Sequence, residues 1–190
     1  MSWLSEESLL LAENWDTVED ILRARNRLGS ELSELLLSVE SQLSQRDWWE
    51  DGWCFIQHRK DQVYISRQQW RPGKSFLIWI GVEQFSPERV FGESSSPQLY
   101  VWVLRKHRDL AQVLADAIEE REGEPLGELD HNQTGYVVKQ DLQSCMPEEV
   151  AVFDDVARAQ IVDFFIHYAE VLSDFDHVIR EHISGSKPAA

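Results

Sequence analysis

Two runs of consecutive apolar residues, 76–82 and 99–104, most constrain what this chain can become. A strand points successive side chains to opposite faces, so a strand apolar at every position asks for cover on both. Turn residues precede each run, Pro72-Gly73 before the first and Ser96-Pro97 before the second. Both runs therefore read as central strands lying side by side in one sheet.

The neighbouring segments supply the rest of that sheet. Residues 53–58 and 62–68 are short, aromatic and β-branched, and Arg59-Lys60-Asp61 joins them as a hairpin. Residues 135–142 alternate as a fifth strand. The connection over 83–98 contains Pro87, Gly92, Pro97 and three serines in a row. A loop of that length marks function or mobility, unless 87–91 forms a helical turn that packs Val90 and Phe91.

Long helices bracket the strands. Val18, Ile21, Leu22, Leu28, Leu32, Leu35, Leu36, Val39 and Leu43 recur at three- and four-residue steps over 16–45, with Gly29 marking a kink or a break. Residues 109–122 form an inserted helix. Pro147 opens a last helix to 183, with Ile161, Phe164, Phe165, Tyr168, Val171, Leu172, Phe175, Val178 and Ile179 on a wide apolar face. The expected fold class is α+β: a mainly antiparallel sheet of about five strands flanked by long N- and C-terminal helices. The expected organisation is one domain over 1–183, with helix 16–46, sheet 53–142 and helix 147–183, then a disordered tail 184–190.

A length of 190 residues fits one domain, and 43% hydrophobic with 27% charged residues argues against disorder. Neither a basic start with a long apolar stretch nor a membrane-length run occurs. Cys54 and Cys145 give neither a disulfide framework nor zinc spacing, so they read as reduced thiols of a cytoplasmic protein.

Motifs of chemistry are missing. Asp163, His167, Glu170, Asp174, His177 and Glu181 are metal-ligand types, but they lie opposite an apolar stripe and read as a solvated face. No Walker loop, dinucleotide fingerprint or nucleophile elbow occurs. The residues two before Lys60, Lys74, Lys106, Lys139 and Lys187 are not acidic, so the restriction-nuclease metal motif is absent. The expectation is no catalytic residue, no metal and no cofactor.

Charge is uneven. The net charge is −16, yet residues 46–108 hold ten Lys or Arg against seven Asp or Glu, a net of +3, leaving −19 elsewhere. The same segment holds Trp48, Trp49, Trp53, Trp70, Trp79 and Trp102. Basic and aromatic residues together can stack bases and contact phosphates, whereas tryptophans packed as core with basic strand ends would look the same. Trp48 and Trp49 cannot both face one core from a regular strand. The candidate binding residues are Trp48, Trp49 and Trp70 as anchors, with Arg59, Lys60, Arg67, Arg71 and Lys74 as two basic clusters at opposite ends of the hairpin.

The long helix, the junction Asp47-Trp48-Trp49-Glu50-Asp51-Gly52-Trp53, the run Leu99-Tyr100-Val101-Trp102-Val103 and the closing helix with Phe164, Phe165 and Phe175 carry a resemblance. In element order over about 16–183 the chain resembles an uncharacterised bacterial domain found C-terminal to predicted restriction-type nuclease domains. The resemblance implies an accessory or interaction module of a bacterial system, in defence or nucleic-acid processing, and carries no catalytic residues over.

The leading expectation is thus a non-enzymatic protein-interaction module. Its partner would be a protein or a second copy in a homodimer, ahead of nucleic acid, and no membrane is involved. One alternative is a small-molecule or nucleotide-acting enzyme with a pocket beneath the 83–98 loop. Another is an acidic mimic of nucleic acid.

Overall fold

β1 (Trp53–Arg59) and β2 (Gln62–Arg67) form the hairpin, turning at Lys60 and Asp61. β3 (Ile78–Glu83), β4 (Gln98–Val103) and β5 (Tyr136–Asp141) follow, and all five strands pair antiparallel in chain order. The computed structural model describes residues 5–92, 96–126, 131–142 and 152–185. Cys145, Pro147 and residues 186–190 lie outside the described residues.

Register sorts the apolar runs by parity. Ile80 sits opposite Ile65 on one side and Val101 on the other, and Val101 sits opposite Val138. Val63, Ile65, Ile78, Ile80, Val82, Leu99, Val101, Val103 and Val138 thus share one face, and all are buried.

That face meets the helices. α1 (Glu6–Glu13) and α2 (Trp15–Leu43) open the chain; α3 (Pro87–Val90), α4 (Arg108–Glu122) and α5 (His131–Thr134) lie among the strands; α6 (Phe153–Asp174) and α7 (Asp176–Gly185) close it. α2 packs against α6 and reaches β2, α6 lies on β3 and β4, and α4 lies on β4 and β5. α2 buries Leu32, Leu35, Leu36, Val39 and Leu43, and α6 buries Ile161, Phe164, Phe165, Tyr168, Val171 and Leu172. Each such side chain contributes about 1.5–3 kcal/mol relative to exposure. The two end helices share one sheet face, as their stripes require.

Several expectations need correction. Gly29 does not break the first long helix, which runs through it; Pro87 comes close there, 3.8 Å from where a Cβ would stand. The last helix is two, because Phe175 leaves the helical backbone between α6 and α7. Ser184 and Gly185, assigned to the tail, are the final residues of α7. The 83–98 connection includes the helical turn α3, with Phe85 and Val90 in the core and Phe91 against the ring of Phe153 at 5.2 Å.

The largest correction concerns cover. β3 and β4 are interior neighbours, as their apolar runs demand. The long helices α2, α4 and α6 cover one face rather than both. The end of α5 reaches the edge of the other, where the Thr134 carbonyl meets Trp102.

Candidate functional site: the open aromatic face of the sheet

The other face carries the opposite parity of β1 to β4 and, past the register shift between Val101 and Trp102, Tyr136 of β5. Cys54 and Ile56 come from β1, Tyr64 and Ser66 from β2, and Trp79, Gly81 and Glu83 from β3. Gln98, Tyr100 and Trp102 come from β4, and Tyr136 from β5. Trp79 and Trp102 are directly opposed, and their indoles stack with centroids 4.3 Å apart and planes at 2°. Tyr64 continues the row beyond Trp79 at 5.5 Å, tilted by 52°. Tyr100 meets Tyr136 edge-on at 5.9 Å. Offset-stacked and edge-on pairs of this kind are the favoured aromatic arrangements.

Two glycines make the row possible. A Cβ on Gly81 would stand 2.6 Å from the end of the Tyr100 ring, so only glycine lets that ring lie across β3. Gly135 has φ of 82°, and a Cβ there would meet the Val103 carbonyl oxygen at 2.7 Å and Trp102 Nε1 at 3.1 Å. Its own carbonyl accepts from the Val103 amide, and Trp102 Nε1 donates to the Thr134 carbonyl at 3.1 Å. The close approach of the 134–135 turn therefore fixes the Trp102 indole.

Between the rings lies a hollow of about 240 Å³, lined by Gln62, Glu83, Arg105 and Thr134 beside the aromatic side chains. Tyr136 donates its hydroxyl to Glu83 at 3.0 Å, and Gln62 donates to the Tyr100 hydroxyl at 3.0 Å. Burial pushes the Tyr100 phenol well up, with the Glu83 charge adding to it. Burial and Glu83 push Tyr136 up to about 12, and burial raises Tyr64. These phenols stay protonated and act as donors and apolar surface. Lys139 sits over the Tyr136 ring at 4.9 Å, and Arg71 lies over Phe76 at 5.2 Å. The Arg71 charge also reaches Cys54 and Tyr64 at this face. Arg71, Arg105 and Lys139 thus give the aromatic face a basic rim.

No family model, curated protein or solved structure matches the chain.

The residues singled out from sequence lie elsewhere. Trp70 is wholly buried and cannot anchor a partner; it packs edge-on to Trp53 at 5.2 Å. Arg67 is drawn inside, donating to the Asp51 carbonyl and lying over the rings of Trp53 and Trp70 at 5.9 and 5.7 Å. Trp48 and Trp49 are half-buried against the core in a 3-10 turn over Asp47–Asp51. That turn explains how adjacent indoles reach one cluster, where Trp48 meets Trp49 at 5.8 Å and Trp53 at 5.3 Å. Arg59 and Lys60 are exposed at the hairpin turn, while Arg71 and Lys74 lie together beyond the opposite end of β2. These four cations stand at the two ends of the hairpin, and Arg67 is buried apart from them. Asp163, His167, Glu170, Asp174, His177 and Glu181 are all exposed, and His167 pairs with Glu122 at 2.7 Å.

Tyr64, Trp79, Glu83, Tyr100, Trp102, Arg105, Tyr136 and Lys139 were not singled out as a site. Their signal is parity. Within β3 and β4 the aliphatic residues occupy one set of alternate positions, and Trp79, Gly81, Glu83, Gln98, Tyr100 and Trp102 occupy the other.

Proposed function

We propose that this protein is a non-enzymatic docking module that presents the open aromatic face of its sheet to an acidic protein segment. One observation carries the reading: a stacked Trp79–Trp102 pair, flanked by Tyr64, Tyr100 and Tyr136, lies on the face left uncovered by the long helices. Tryptophan and tyrosine in such patches supply the large, rigid contact area typical of interface hot spots. The rim of Arg71, Arg105 and Lys139 favours carboxylates on the partner.

A protein segment suits this face better than stacked bases. A stacking platform needs a free ring plane for each base. Trp79 has Trp102 against one plane and Tyr64 at its other flank, so both its planes are already engaged. Absence of catalysis is supported by the state of the polar groups. Glu83 is engaged by Tyr136, and the phenols are shifted up rather than down. Within the 83–98 connection, the Glu88 carboxylate is held at about 2 by its hydrogen bond with Arg25.

Selection of a displayed peptide library on the immobilised full chain tests the reading. Acidic peptides with aromatic or aliphatic residues are expected, and Trp79→Ala with Trp102→Ala should lose them while the far-UV spectrum is retained. Recovery of basic or featureless peptides would count against it. So would tight, salt-sensitive binding of single-stranded oligonucleotides that disappears with Arg71→Glu and Arg105→Glu.

A further inference from the structure

β1 is an edge strand, and among the described residues nothing pairs with its outer side. Directly opposed residues of an antiparallel pair alternate between exchanging both backbone hydrogen bonds and exchanging none. The Gln68 amide donates to the Gly52 carbonyl, one step before the opposed residues Trp53 and Arg67. Cys54 and Ile56 therefore bond inward, to Ser66 and Tyr64. Trp53, Phe55 and Gln57 turn their amides and carbonyls outward, and no hydrogen bond from the described residues meets them there. Such a row is a template for another strand. Apolar surface lies beside it. Phe55 is half-buried against the core, and Leu37 of α2 is 41% exposed one helical turn beyond Ser33, which Gln57 reaches at 3.1 Å.

Charge identifies the occupant. The segment entering β1 holds Arg46, Asp47, Glu50 and Asp51, a net of −2, and the turn leaving it holds Arg59, Lys60 and Asp61, a net of +1. Glu50, Asp51, Arg59 and Lys60 are exposed, and no ion pair among the described residues occupies them. Arg71, at the same end of the sheet as the acids, lies over the Phe76 ring before β3. Two copies of β1 that pair antiparallel bring the acidic end of each to the basic end of the other. The register that opposes all three outward residues is centred on Phe55 and sets Trp53 against Gln57 of the other copy. It also carries Arg59 and Lys60 towards Asp51 and Glu50 of the other copy. Charges protect an edge when pairing would bring like signs together, whereas here pairing brings opposite signs together. We propose that β1 pairs in this way with β1 of a second copy, joining two five-stranded sheets across a two-fold axis. The axis stands perpendicular to the sheet, so both aromatic faces look the same way, and Cys54 and Ile56 carry that surface across the seam. The contact lies on the sheet edge and does not depend on what the aromatic face binds.

Sedimentation velocity of the full chain over a range of concentrations tests the proposal, and a dimer is expected. Arg59→Glu with Lys60→Glu makes both ends acidic. It should weaken self-association about tenfold or more, because every attractive pair at the seam becomes repulsive. Glu50→Lys with Asp51→Lys makes both ends basic and should do the same. An equal mixture of the two variants should dimerise again, now as a heterodimer, with far-UV spectra and melting temperatures showing that each is folded. A chain that stays monomeric at high micromolar concentration would overturn the proposal. So would a dimer that either variant leaves intact, or a mixture that stays monomeric. Trp79→Ala with Trp102→Ala should leave the dimer unchanged. A dimer dissolved by that pair would place the contact on the aromatic face and overturn the edge pairing.

Discussion

The indole Nε1 of Trp70 donates to an Asp176 carboxylate oxygen at 2.7 Å, across 106 residues of sequence. Asp176 stands in the first turn of α7 and also accepts from Gln69 at 3.1 Å, from Arg67 at 3.4 Å and from Arg180. One carboxylate therefore joins the segment after β2 to the end of the chain. Asp176→Ala should destabilise by about 3 kcal/mol, because it strands the Arg67 charge in the interior. Asp176→Asn keeps an acceptor for Trp70 and should cost less. A urea titration of both variants checks the order.

The two aromatic sets of the molecule should respond differently to truncation. Phe165 is fully buried between the sheet and its helix neighbours, and Phe165→Ala should destabilise by about 3–5 kcal/mol. Trp102→Ala, on the open face, should cost clearly less while abolishing peptide capture. Equal losses in denaturant titration would mean that the open face is a second core.

Gly81→Ala should be costly despite its small size. The added methyl would meet the Tyr100 ring at 2.6 Å and Tyr64 Cβ at 3.0 Å. Tyr100 is nearly buried and bonded to Gln62, so displacing it should cost about 1–3 kcal/mol. A melting temperature unchanged by Gly81→Ala would contradict the ring placement.

Acid should weaken the fold before most carboxylates titrate. His107 Nδ1 lies 3.0 Å from His182 Nε2, and burial, then His182 and Lys106, lower the His107 pKa from its ordinary 6.5. The unfolded chain then binds a proton more readily than the folded one. Stability from this site is complete above 6.5 and is lost as pH falls through the folded value. Melting temperatures from pH 7.5 to 5 should decline, and His107→Leu should flatten the slope.

Alkali should reveal the tyrosines. All four phenols, Tyr64, Tyr100, Tyr136 and Tyr168, are raised by burial, Tyr136 and Tyr168 to about 12. Phenolate absorbance of the native protein should show no component at the ordinary value of 10. Because the folded values are the higher ones, this stability is full below 10 and is lost as pH rises through them.

Much of the frame was legible in the sequence. The stripes over 16–45 and 161–179, the hairpin around Arg59-Lys60-Asp61 and the pairing of the two apolar runs follow from spacing alone. The site was not, for a physical reason. Counting 76–82 and 99–104 as uniformly apolar treated Ile80 and Trp79 alike, although one meets helices and the other meets a ring on the next strand. Trp70 and Arg67 misled for the opposite reason. Their neighbours in sequence are polar, and the groups that bury them, above all Asp176, come from the far end of the chain. Gly81 carried a usable signal, since a glycine inside a strand often marks close approach by another group.

The sheet runs in strict chain order, each strand beside the one made before it. Its hydrogen bonds are thus mostly between close neighbours in sequence and can form progressively as the chain emerges from the ribosome. The aliphatic face has a different history. α2 exists from the start, but its packing partner α6 begins only at Phe153. Until synthesis passes that point, Ile78, Ile80, Val101 and Val103 wait with part of their cover missing. Chains stopped before α6 should be left as sticky, protease-sensitive fragments rather than smaller working versions of the protein.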